Sequence, residues 1–430
     1  MKRGKKQILN AFLRLIPLAA KLVLTLYMGR YFSLSEMGAY GLVLSSTVIL
    51  TIILGEQLDY VVNRDIVGAA PVVVMQKMRD EALLYFANHI ALFLLTLLGW
   101  AWRLFDVPPA LLFGIFALSV LENVAAAIYG HLNALNRQVF ANALFFVRAG
   151  LWVLPVVALG FFDPAYRTAV AIIVCWGCGV ALSLLGALWG LRWLPWREGL
   201  RRPVDWVWLK QSLRKTGPVW IGSVGFACGA YIDRYIAAGY LDLKAVGLIT
   251  FYTSFTGALF AIMHSGVLAF SGPRLVQFHK DGDVDGFWLE ARQAGVQVVG
   301  GTALLALLTF LVVPLFGFLA DRPIYYEKAG LLGLLLIATW IRGSADVFYN
   351  ILFARHQDRA VWLGNLLFLI PALGCNMILV PLMGLWGIGV SSILAALFLF
   401  IFRLVAIIRA GRVCEEATPR SFWERPKINF

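Results

Sequence analysis

AVAIIVCWGCGVALSLL, Ala169 to Leu185, carries no charged side chain and shows no alternation of apolar and polar positions. In hydrocarbon only helices and closed barrels satisfy every backbone N–H and C=O. Barrel strands run about ten residues with a period of two. A continuous apolar run of about 20 residues is therefore read as a membrane helix. Cys175 and Cys178 sit inside it at redox-motif spacing, but in this setting they read as helix packing.

Immediately C-terminal lies RWLPWREGLRRPVDWVWLKQSLRK (192–215), with seven basic residues, two acids and the tryptophans Trp193, Trp196, Trp206 and Trp208. Basic residues mixed with tryptophan suit a segment lying on the inner leaflet, and equally a solvated linker with interface anchors. Either way the segment divides the 430 residues nearly in half. Apolar runs on its two sides predict helices at 8–28, 37–62, 83–104, 109–134, 138–162 and 168–191, then at 217–240, 244–270, 293–319, 329–351, 360–381 and 383–408. The expected organisation is an N-terminal six-helix bundle (1–191), a basic Trp-rich cytoplasmic linker (192–216), a C-terminal six-helix bundle (217–408) and a cytoplasmic tail (409–430). MKRGKKQ at the start resembles a signal peptide, but Arg14 and Lys21 interrupt the run that follows, so it is read as a retained first helix.

Composition agrees. The chain is 60% hydrophobic and 14% charged, with mean hydropathy +0.79, whereas soluble domains run about 45–50% apolar and about 25% charged. A soluble enzyme is excluded. The net charge of +13 lies mostly between spans, which points to topology and anionic lipid and away from nucleic acid. With the N-terminus inside, 25 Lys and Arg fall on the cytoplasmic side and six on the other, leaving six within spans. Both termini are thus expected in the cytoplasm.

The six intramembrane cations are Arg14, Lys21, Arg148, Arg234, Arg342 and Arg403. Charge at this depth costs about 2.5–3.5 kcal/mol on insertion scales and calls for a role. Arg14 and Lys21 share a helical face; with Arg148, Arg342 and Arg234 they form a candidate cationic cavity able to bind an anionic headgroup. Plainer readings stand beside this one. Arg403 and Arg234 lie toward helix ends and can snorkel, and Arg342 can be neutralised by Asp346 four residues on. Among the acids, Glu122 either pairs with Arg148 or couples transport to an ion; Asp233, Asp346 and Asp59 are further candidates for coupling or pairing. Pro17, between Arg14 and Lys21, is a candidate bending point. His89, His131 and His264 are scattered, no metal-ligand spacing or P-loop is present, and neither metal nor cofactor is expected.

A repeat is visible. Tyr31-Phe-Ser-Leu34-Ser-Glu-Met37-Gly38 lies on Tyr240-Leu-Asp-Leu243-Lys-Ala-Val246-Gly247 at an offset of 209. The first of these, within GRYFSLSEMGAYGLVLSS, resembles the helix 1–2 connection of bacterial polysaccharide flippases of the multidrug/oligosaccharidyl-lipid/polysaccharide exporter superfamily. YIDRYIAAGYLDLKAVGLITFYTSF (231–255), including Asp233, is similar to their helix 7–8 region. Ser271-Gly-Pro273-Arg274-Leu275 resembles the end of their helix 8, and the stretch from Asn376 to Gly389 their helix 11–12 turn. The resemblance spans the chain. It implies an all-α polytopic membrane protein of about twelve helices, in two six-helix bundles related by a parallel repeat around a V-shaped central cavity. It also implies an isoprenoid-diphosphate-linked saccharide as cargo, flipped between leaflets of the bacterial inner membrane for cell-surface polysaccharide synthesis. Membrane lipids, and a polysaccharide polymerase or export machinery, are the partners expected with it. A multidrug-type antiporter of the same fold is the alternative; a membrane-embedded polymerase or ligase fits less well, because the longest outer connection is short (320–328).

Overall fold

The computed structural model describes residues 3–55, 57–102 and 109–417. Across them the chain is helical throughout. The N-terminal half comprises α1 (Arg3–Tyr31), α2 (Leu34–Gly55), the short α3 (Leu58–Asp65), α4 (Pro71–Ala101), α5 (Pro109–Ala134), α6 (Gln138–Phe146), α7 (Val153–Phe162) and α8 (Ala169–Gly190). The short α9 (Trp196–Arg201) lies in the connection. The C-terminal half comprises α10 (Trp206–Tyr240), α11 (Leu243–Met263), α12 (Ala269–Asp281), α13 (Val284–Leu319), α14 (Ile324–Glu327), α15 (Ala329–Ala354), α16 (Asp358–Leu367), α17 (Leu369–Met383) and α18 (Leu385–Ala417). A π-helical turn, Val147–Leu151, joins α6 to α7, and another, His264–Leu268, joins α11 to α12. Counting joined segments once, the described residues form twelve rods, ten of them long and apolar enough to cross a membrane. The other two, α1 and α10, are 29 and 35 residues long. The chain is an all-α, multi-pass membrane protein.

Several rods outrun the apolar runs that announce them. Pro71 opens α4 at a first-turn position, where its missing N–H is harmless, so the expected loop 63–82 is mostly helix. At the other end of the expected helix 37–62, Gln57 adopts a left-handed conformation (φ 56°) and separates α2 from α3. Gly282 (φ 70°) ends α12, and Asp283 caps α13 by accepting the Gly286 N–H at 2.8 Å. The expected tail from 409 begins as helix, since α18 runs to Ala417; 418–430 lie outside the described residues.

The connection between the halves is held firmly. Arg79, at the start of α4, is only 8% exposed and donates to the carbonyls of Gly199, Leu200, Arg202 and Pro203 at 2.5–3.2 Å. Asp80 holds that guanidinium and accepts the Asp205 N–H. Lys77 pairs with Asp205 at 3.1 Å and lies 3.9 Å from the Trp208 ring centre. α10 then runs unbroken through 216–217, where the expected linker would end.

The halves meet chiefly through α2 and α11, and here the sequence repeat becomes physical. A Cβ on Gly38 would overlap the Leu243 carbonyl oxygen; a Cβ on Gly247 would overlap that of Leu34. Shifting by 209 exchanges these two contacts, as a twofold axis between the halves requires. Gly41 packs on Thr250, its own counterpart, at that axis. The N-terminal caps correspond too: Ser33 accepts the Glu36 N–H (3.2 Å) and Asp242 the Ala245 N–H (2.7 Å). At this end, away from the linker, Arg322 donates to the Arg30 and Phe32 carbonyls, and Tyr325 donates to that of Gly29 at 3.1 Å. The Phe251 and Tyr325 rings stack with centres 4.0 Å apart. The end of the bundle opposite the linker is thus sealed by backbone-close packing.

Candidate functional site

Glycines on α10 build the wall of a cavity in the C-terminal half. Gly225 abuts Leu366 and Gly229 abuts Phe368, drawing α10 against α16 and α17. With α11, α15, α18 and Val48 and Ile52 of α2, they enclose a cavity of about 460 Å³. Two guanidiniums and one carboxylate reach it: Arg234, Arg342 and Asp233.

Arg234 and Asp233 pair with each other, although Arg234 Nε takes no hydrogen bond among the described residues. Arg234 donates to Asp233 Oδ1 at 3.0 Å and to Thr253 Oγ1 at 2.6 Å, beside the Tyr231 ring, and is 5% exposed. It does not snorkel. Arg342 is different. Its guanidinium carbon lies 4.6 Å from the Phe226 ring centre and 5.2 Å from that of Phe260, its Nε is buried, and among the described residues it takes no hydrogen-bond partner. The carboxylate expected to neutralise it serves another cation: Asp346 Oδ1 accepts from Arg403 at 2.5 Å. Arg403 also donates to the Ala345 carbonyl (3.0 Å) and Asn365 Oδ1 (2.9 Å), and it is 2% exposed. Both expectations for these residues need correcting, for one physical reason. An enclosed guanidinium without a counter-ion is very costly, so the carboxylate goes to Arg403; Arg342 faces open cavity and aromatic ring faces, which stabilise a cation without an anion.

In the N-terminal half Arg148, on the π-helical turn, donates to Glu122 Oε2 at 2.6 Å. Trp176 Nε1 donates to the other oxygen, Oε1, at 2.6 Å, and its ring stacks on Trp152. Both carboxylate oxygens are thus engaged. Gly150 on the same turn packs against Pro17 of α1. Lys21, one turn on from Pro17, is exposed, lies within electrostatic reach of Glu122 and Arg148, and among the described residues its ammonium takes no hydrogen bond. Arg14 is on α1, its side chain outside what is described. The expected cationic track is therefore divided between two clusters, and only Arg234 and Arg342 line the C-terminal cavity.

Asp59 belongs to a third group, near the linker. His131 contacts Glu81 Oε2 through Nε2 at 2.7 Å and Asn63 Oδ1 through Nδ1 at 2.8 Å, and Tyr85 donates to Glu81 Oε1 at 2.9 Å. Burial, and then the neighbouring Glu81 charge, raise the Asp59 carboxyl above the ordinary carboxylate range. His131 reads as isolated along the chain; only the packing of α3, α4 and α5 joins it to an acid. Sequence reasoning also passed over Asn376 and Ser391 in the cavity wall. Asn376 Nδ2 donates to the Ala372 carbonyl at 2.7 Å, and among the described residues its Oδ1 is buried without a donor and Ser391 Oγ is likewise unpaired. A lone amide in the apolar run LIPALGCNMILV was the available signal.

No protein-family model and no curated protein matches the sequence. Solved structures resemble its fold. An inward-facing multidrug resistance MATE family transporter of the MOP superfamily is 12% identical, with 95% of this chain and 100% of that chain covered and a TM-score of 0.73. The lipid II flippase MurJ in an inward closed conformation is 13% identical, with 97% and 94% covered and a TM-score of 0.70. An outward-facing MATE family transporter of the superfamily gives 13% identity, 96% coverage of each chain and a TM-score of 0.60. The chain has the fold of MOP superfamily transporters.

Proposed function

We propose that this chain moves an isoprenoid-diphosphate-linked oligosaccharide between membrane leaflets by alternating access of its two halves. The observation that carries the reading is a cation in each half with no hydrogen-bonding partner among the described residues: Lys21, exposed beside the Glu122–Arg148 pair and available to a diphosphate, and Arg342 in the cavity wall, available to an anionic group of the saccharide. Desolvating a diphosphate is prohibitive unless fixed positive charge meets it. The bundles 1–191 and 217–408 act as the moving bodies, and the basic connection 192–216 places both termini in the cytoplasm of a bacterial inner membrane. In this reading the sealed end faces outward and cargo enters from the linker side. The fold shared with a lipid II flippase supports it.

Deleting the gene in its native host and analysing isoprenoid-linked lipids by mass spectrometry tests the proposal. A saccharide-diphosphate-isoprenoid should accumulate, clear on re-expression, and persist when Lys21→Ala or Arg342→Ala is expressed at wild-type level. An unchanged lipid pool with new sensitivity to small toxic compounds would favour a second reading, a multidrug-type antiporter. That reading draws on the aromatic cavity wall and on the MATE-like fold. Free interior cations disfavour cationic drugs as its cargo.

A further inference from the structure

The cavity wall is unsatisfied in a chemically specific way. Arg342 offers a cation with no hydrogen-bonded or ion-paired anion among the described residues, beside the Phe226 and Phe260 rings. Asn376 Oδ1 is an acceptor lacking a donor, and its orientation is settled by the Nδ2 bond to Ala372. Ser391 Oγ can donate or accept and does neither. Asn376 is 3% exposed and Ser391 0%, so bulk water does not satisfy them, and a buried unpaired polar group is costly. Phe226 and Phe368, with ring centres 5.3 Å apart, supply apolar faces beside these groups. A ligand that completes this wall must bring one negative charge, at least one hydroxyl donor, and a flat or ring-shaped apolar face.

A diphosphate does not meet those terms. Its ionised oxygens only accept, so Asn376 Oδ1 would stay unpaired, and one free guanidinium is little for its charge, because Arg234 is already held by Asp233. An isoprenoid chain brings neither charge nor hydroxyls. A cavity of about 460 Å³ falls within the ~300–1,000 Å³ of small-ligand pockets. We infer that this cavity is the seat of an acidic sugar unit, a hexuronate, whose carboxylate docks on Arg342, whose hydroxyls donate to Asn376 and Ser391, and whose ring lies on the phenylalanines. The inference rests on the oligosaccharide reading above and narrows it: the cargo carries a uronic acid, recognised apart from its diphosphate.

The test is calorimetric titration of the full chain in lipid nanodiscs with glucuronate, glucose, acetate and inorganic pyrophosphate. Glucuronate should bind in the millimolar range, at about −4 kcal/mol, with glucose and acetate each at least tenfold weaker. Arg342→Gln should abolish the preference for glucuronate over glucose, and Asn376→Leu the preference for glucuronate over acetate. Having two variants with different signatures separates recognition from misfolding. Pyrophosphate that displaces glucuronate, or glucuronate that fails to bind the folded wild type, overturns the assignment. A lipid-linked saccharide bearing a uronic acid that competes with glucuronate identifies the tethered sugar as the source; competition only by free sugar acids identifies a soluble one and overturns the tethered cargo. Failure of the underlying reading is distinct. A chain that binds glucuronate yet moves no lipid-linked saccharide in proteoliposomes keeps the subsite and loses the flippase, whereas one that moves such lipids and ignores glucuronate keeps the flippase and loses the subsite.

Discussion

The two halves share a fold and a repeat, yet treat buried charge in opposite ways. Around Arg148 the N-terminal half pairs its buried charge (one arginine, one glutamate, and a tryptophan N–H on the remaining carboxylate oxygen), and its unpaired cation, Lys21, is exposed. The C-terminal half holds three arginines against two aspartates, and the arginine left over, Arg342, faces a cavity. A buried cation therefore marks a site only when its neighbours leave it unsatisfied. Depth in the membrane does not distinguish Arg148 from Arg342; their partners do.

Breaking that contrast should have graded effects. Asp346→Ala leaves Arg403, 2% exposed, without a counter-ion and should destabilise the chain by about 3–5 kcal/mol, read as a large drop in unfolding midpoint in detergent. Glu122→Ala does the same to Arg148, but that side chain is 16% exposed, so the loss should be smaller than for Asp346. An equal or larger loss would remove the proposed difference in enclosure. Trp176→Phe keeps most of the ring and deletes one hydrogen bond to a charged oxygen, for about 1.5–3 kcal/mol in the same assay.

Smaller effects probe the same contrast. The folded-state pKa of Asp59 is raised, so the folded chain takes up a proton before the unfolded chain as pH falls. Stability should therefore rise as pH drops through the folded value toward the ordinary carboxylate range. That rise has a slope of at most about 1.4 kcal/mol per pH, and Asp59→Asn should flatten it in a pH series of melting curves. Arg342→Gln breaks no hydrogen bond or ion pair among the described residues and loses only two cation–π contacts, so it should cost no more than about 1–2 kcal/mol, well below Asp346→Ala. It should nevertheless stop transport. A destabilisation like that of Asp346→Ala would make Arg342 structural and erase the contrast.

Much of this was legible before folding. Continuous apolar runs place the rods, because hydrocarbon leaves the backbone no alternative. Residues 31–38 and 240–247 announce the repeat that the reciprocal Gly38 and Gly247 contacts then realise. The Glu122–Arg148 pair could be anticipated as one of two readings, since consecutive helices are commonly neighbours. Choosing between Arg403 and Arg342 as the partner of Asp346 could not, because spacing along α15 favours Arg342, and Arg403 arrives on α18, 57 positions away. His131 and Glu81 are likewise 50 positions apart along the chain and meet only where α4 packs on α5.

A multi-pass helical membrane protein in two related halves follows from the order of residues, because hydrophobic length and period are local properties that survive any packing. Which cations are neutralised, which polar atoms lack a partner, and where a cavity remains are set by how the helices pack. Those outcomes depend on competition among groups far apart in the chain, and in a low-dielectric interior the most enclosed charge claims its partner first.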